Sequence, residues 1–94
     1  MFRLYVTEQI AVSTPGVALA CRVHEGSVCV GDRVTQAISP AGETHNVDLE
    51  VRFLSISETV HVDSLDTNYG GLVTLFGLYA QRIGDGWELT GSQG

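Results

Sequence analysis

The chain has 94 residues, enough for one modest hydrophobic core, and its 44% hydrophobic and 17% charged content is globular rather than disordered. Eleven acids against five bases leave a net charge of −6, which repels phosphate backbones and disfavours nucleic acid as a partner. All five bases are arginines (Arg3, Arg22, Arg33, Arg52 and Arg82) with no basic run, and the absence of lysine excludes a Walker-type phosphate loop and Schiff-base chemistry.

The opening "MFRLYVTEQIAV" contains no apolar segment of signal-peptide length. The longest unbroken apolar stretch, Val17 to Cys21, is far too short for a membrane span, so a soluble, cytoplasmic protein is expected. Phe2, Leu4 and Val6 alternate with polar neighbours as a first strand. Ile10 and Val12 resume the period after a break at Thr7 to Gln9. "STPG" (13–16) is a turn, with Pro15 and Gly16 as its punctuation.

In "GVALACRVHEGSVCVGDRV" (16–34), Val17, Leu19, Cys21 and Val23 fall on one face of a strand, and Ala18, Ala20 and Arg22 on the other. A two-residue turn at Glu25-Gly26 predicts a hairpin that pairs Val23 with Val28 and Cys21 with Val30. That register sends Val28 and Val30 to the core and sets Cys29 beside Arg22 on the outer face. Ala18, Ala20, Arg22 and Cys29 then form a flat, weakly polar candidate interface. The two cysteines point apart and cannot bridge, which suits reduced thiols, with Cys21 a small core residue. Gly16, Gly26 and Gly31 read as turn residues, and Asp32 as an acceptor for turn amides.

Segment 37–46, "AISPAGETHN", reads as a mobile loop. Val47, Leu49, Val51 and Phe53 then share one face, while Leu54 and Ile56 take the other, a phase change that predicts a β-bulge or a bend. Val60 and Val62 alternate with polar residues, and "DTNYGG" (66–71) is a turn. "LVTLFGLY" (72–79) is apolar on both faces, like a central strand, and Trp87 and Leu89 begin a closing strand after "GDG" (84–86). Residues 91–94 read as a flexible tail. About six to eight short strands, with no periodicity for long helices, predict a single all-β domain over 1–94, an antiparallel barrel or sandwich.

Val6 to Asp32 resembles, without a gap, the second domain of the translational GTPases, the β-barrel that follows the nucleotide domain in elongation factor Tu and its relatives. The matching positions are Val6, Ile10, Val12, Gly16, Arg22, Val23, Gly26, Val28, Val30, Gly31, Asp32 and Val34. "VRFLSI", "GGLVTLFG" and "GDGWEL" are similar to later segments of the same domain. Thr14 and Cys21 stand where the family usually has glycine, and none of the family's residues for the aminoacylated tRNA end can be matched. The resemblance implies a small closed or partly open barrel without its GTPase domain, an interaction scaffold that does not bind GTP by itself.

Residues with chemical potential have simpler structural readings. His61 and Asp63, with His24 or His45, lack the dense spacing of a zinc site, and the cysteines lack C-x-x-C spacing or an identifiable activating neighbour. Trp87 and Tyr69 are candidate binding aromatics that serve a small core equally well. The expectation is a non-enzymatic module with no metal or cofactor, whose partner is another protein or a second copy. Two alternatives stay open, an acidic inhibitor covering a basic nuclease or toxin site and an RNA-binding domain.

Overall fold

The computed structural model describes residues 1–13, 15–57 and 59–92. Its strands, in chain order, are β1 (Phe2–Ser13), β2 (Gly16–Glu25), β3 (Val28–Cys29), β4 (Arg33–Ile38) and β5 (Thr44–Ser55), followed by β6 (His61–Val62), β7 (Ser64–Leu65), β8 (Gly70–Phe76) and β9 (Glu88–Ser92). A 3-10 turn, Ala80–Arg82, is the helical element among the described residues, and no helix there is long and apolar enough to cross a membrane.

Antiparallel pairing runs β4-β9-β1-β2-β8-β5, and β5 pairs back to β4, so six strands close into a barrel. Closure leaves these strands no free edge along their paired length. Phe2, Leu4, Val6, Val17, Leu19, Cys21 and Val23 fill the interior from one side, with Leu49, Val51, Leu54, Val73, Leu75 and Leu89 from the others. This is the all-β barrel that the alternation implied.

Two long strands reach both ends of the barrel by means of bulges. In β1 the register against β2 shifts between Val6 and Glu8 and again between Gln9 and Ala11, which is why the apolar period breaks at Thr7 to Gln9. The Gln9 side chain donates to the carbonyls of Gln81 (3.3 Å) and Ile83 (2.8 Å), and its N–H donates to Asp85 Oδ1 (2.8 Å). Gln9 thus ties one end of the barrel to the 3-10 turn, and beyond it Ile10 and Val12 are exposed. In β5 the register against β8 shifts between Val51 and Phe53, so Leu54 turns inward and Phe53 outward. The phase change in the sequence was this bulge.

The predicted hairpin is not formed. β2 already pairs with β1 on one side and β8 on the other, so the chain leaving Glu25 has no edge to return to. Gly26, at φ 69, turns it away, and a Cβ there would run into the Met1 carbonyl. Val28 and Cys29 pair instead with Leu65 and Ser64 of β7. Val28 is buried as expected, whereas Val30, expected in the core, is 47% exposed. The Val30 N–H donates to the Asp63 carbonyl and that of Gly31 to the Val51 carbonyl, which fixes this crossing outside the barrel wall. Asp32 does accept from a turn amide, the Cys29 N–H at 2.9 Å.

Segment 37–46 is not a loop throughout. Ala37 and Ile38 end β4, residues 44–46 begin β5, and the connection shrinks to 39–43, closed by the Ser39 N–H donating to the Glu43 carbonyl. Of the predicted tail 91–94, Gly91 and Ser92 belong to β9, while Gln93 and Gly94, like Thr14, lie outside the described residues. Gly91 has a packing reason: a Cβ there would collide with the Arg33 carbonyl and meet Phe2 Cζ at 2.6 Å.

Candidate functional site

Strand alternation gives β2 two unlike faces. Val17, Leu19, Cys21 and Val23 point into the core, which sends Ala18, Ala20 and Arg22 outward. Register with the neighbouring strands extends this outer face into cross-strand rows. Ala18 lies opposite Thr74 of β8, itself opposite Phe53 of β5. Ala20 lies opposite Leu72, itself opposite Ser55, and Arg22 lies opposite Gly70. His61 of β6 pairs with Ser55 and extends the second row.

The side chains along these rows leave a hollow. Ala18, Ala20 and Gly70 supply a low floor, while Phe53 and Ile56, each 54% exposed, stand above it with Leu72 and His61. Three depressions of about 320, 380 and 360 Å³ lie side by side, the first two sharing Leu72 and the last two sharing Phe53 and His61. They form an open trough rather than an enclosed cavity, a shape that receives protruding side chains better than it encloses a small molecule. Arg22 borders one end and makes no ion pair among the described residues. At the other end Arg52 is committed to Glu50 (2.8 Å), and its guanidinium lies 4.4 Å over the Phe76 ring.

The predicted interface set is therefore split. Ala18, Ala20 and Arg22 share the trough, but Cys29 does not join them, because β3 pairs with β7 rather than with β2. The alternation of β2 carried no sign of Phe53, Ile56, Leu72 or His61. The phase change at Phe53-Leu54 was the signal for the first, since two adjacent apolar residues of a half-buried strand cannot both face inward.

Both thiols are held above their ordinary range. Burial pushes the Cys21 thiol up to about 12. The Cys29 thiol is also raised, by burial first and then by the negative charges of Asp32, Asp66 and Asp63. The three histidines sit in separate settings: His24 is stacked on Tyr5 at 5.6 Å, His45 packs 5.2 Å from Tyr79 and 5.8 Å from Trp87, and His61 lines the trough. Among the described residues no group of three or more His, Cys, Asp or Glu is arranged to hold a metal ion. Trp87 packs partly buried against the core, and Tyr69 is exposed.

No protein-family model matches the chain, nor does any curated protein sequence. Among solved structures it is similar to translation elongation factor SelB from Methanococcus maripaludis, in the apo form and in complex with the GTP analogue GppNHp. Both matches have a TM-score of 0.72 at 19% identity, covering 95% of this chain and 18% of that one. The chain thus spans less than a fifth of the factor it matches, and likeness at that identity speaks for the fold alone. The six-strand closed barrel is the fold found within a translation elongation factor, as the resemblance over Val6 to Asp32 implied.

Proposed function

We propose that the chain is a non-enzymatic protein-binding module whose contact surface is the trough over β2, β8 and β5. The observation that carries this reading is the pairing of half-exposed Phe53 and Ile56 with the low floor of Ala18 and Ala20. Apolar walls and a small-residue floor admit close approach by a partner's anchor side chains, the arrangement in which a few contacts supply most of the binding energy. An association with translation or with a GTPase belongs to the proposal and is supported by the shared barrel fold. So does a cytoplasmic setting, which suits two free thiols, and so does the lack of GTP binding and of catalysis.

Capture of partners from cell extract, identified by mass spectrometry, tests this with Ala20→Arg. The variant is expected to lose the partner while its unfolding midpoint stays nearly unchanged, because a long charged side chain blocks the floor without entering the core. Retained capture places the contact on another face.

An acidic inhibitor is the second reading, and one observation favours it. Arg3, Arg33 and Arg52 are already paired with acids of the same chain, so the surplus negative charge dominates what a partner meets. Binding through that charge weakens steeply with salt, whereas binding through the trough does not. The same internal pairing leaves few arginines for phosphates, which weighs against RNA.

A further inference from the structure

A second surface lies between β8 and the 3-10 turn. Tyr79 adopts φ 81, ψ −10, a left-handed conformation that a residue with a Cβ resists and that persists where its surroundings enforce it. The enforcement is visible. The Arg82 N–H donates to the Tyr79 carbonyl at 3.0 Å, the Tyr79 ring packs 5.2 Å from His45 and 6.3 Å from Trp87, and the Arg82 guanidinium lies over the ring, 5.3 Å from its centroid. The product of this constraint is Leu78, held 92% exposed at the tip. Beside Leu78 is a depression of about 550 Å³ lined by Asn46, Val47, Asp48, Leu78 and Tyr79.

We infer that this end of the barrel is where two copies of the chain meet, each Leu78 seated in the depression of the other. A second copy fits better than an unrelated protein for two reasons. The protruding leucine and the hollow share one patch, so a single two-fold rotation fills both at once, which is the geometry of an isologous contact. Charge points the same way. A molecule of net charge −6 repels its copy over most of its surface, but charges of both signs border this depression: Asp48 in its lining with Arg33 3.5 Å away, and Arg82 over the Tyr79 ring with no ion pair among the described residues. One copy's Arg82 meeting the other's Asp48 would add complementary contacts around the leucines. A patch built around one anchor makes a weak, reversible dimer rather than an obligate one.

Sedimentation velocity over micromolar to near-millimolar protein tests this, with unfolding midpoints measured alongside. Wild type is expected to shift from monomer to dimer across that range. Leu78→Asp is expected to raise the dissociation constant by at least about tenfold, as removal of a central anchor does. Because Leu78 touches solvent, its midpoint should hold, and Leu78→Ser repeats the measurement with a smaller change. Phe53→Asp, in the trough, should leave the dimer intact. A wild type that stays monomeric throughout, a dimer that survives both Leu78 variants, or one lost in Phe53→Asp overturns the inference.

Discussion

The inner and outer walls of β2, β8 and β5 are made by the same strands, one residue apart, yet they are built on opposite plans. Inside, Leu19, Cys21, Val73, Leu75 and Leu54 belong to one buried apolar cluster. Outside, Ala18, Ala20, Thr74, Leu72 and Phe53 follow small with large, so the wall has relief. Interior positions are constrained by volume, because every methylene is in contact. Exterior positions are free of that constraint, and a row of alanines beside an exposed phenylalanine records a different requirement. The lesson is that a barrel strand separates folding from recognition by a single step in sequence.

The sharpest way to break this comparison is at the β5 bulge, where the two walls exchange places. Leu54→Ala should cost about 2–5 kcal/mol, as truncations in packed cores do. The adjacent Phe53→Ala should stay within about 0.5 kcal/mol, as exposed substitutions do, when both are measured by denaturant unfolding. Equal losses would mean that the bulge is misplaced and the two walls with it.

Gly26 decides where the inner wall ends, because it turns the chain so that Val28 enters the core. Gly26→Val should destabilise by more than about 1 kcal/mol, since positive φ rejects a β-branched residue. The Met1 carbonyl stands where the new Cβ would go. An unchanged unfolding midpoint would remove Gly26 from that role.

A pH dependence is expected at Cys21, the inner-wall thiol beside Ala20. Its folded-state pKa is raised to about 12 from an ordinary value of 9.0, so burial of the neutral thiol contributes fully below pH 9. That contribution is lost as pH climbs from 9 toward 12, by at most about 1.4 kcal/mol per pH unit. Cys21→Ala should flatten this part of the stability–pH curve. An identical slope in wild type and variant would assign it to other groups.

Much of the barrel was legible because period-two alternation is local. The two faces of β2 and the bulge at Phe53-Leu54 can be read from a few neighbouring residues. Pairing is different, since it depends on which edges remain open once the whole sheet has closed. Val28 and Cys29 form a strand too short to carry a period, and nothing near them in sequence announces Leu65 and Ser64 as partners. Val30 was misread for the same reason: its alternation was right for a hairpin whose edge β8 had already taken. The trough was half legible. Ala18, Ala20 and Arg22 follow from alternation in one strand, whereas Phe53, Leu72 and His61 join them through long-range register alone. Leu78 lies in the stretch 72–79 that reads as a central strand, but β8 ends at Phe76 and Leu78 is exposed, next to the left-handed backbone of Tyr79, which no local period announces.

The pairing of Phe2 with Gly91 brings the first and last described strands to one corner of the barrel, a strand spacing apart. Polypeptide can therefore enter and leave at almost the same point, and the ladder between β1 and β9 holds that point shut. A barrel with such a doorway can be spliced into a surface loop of another protein as a cassette without prying its host apart. It can equally be rejoined across the doorway by a short linker and cut open at 39–43, where a tight connection separates β4 from β5, with every strand neighbour preserved.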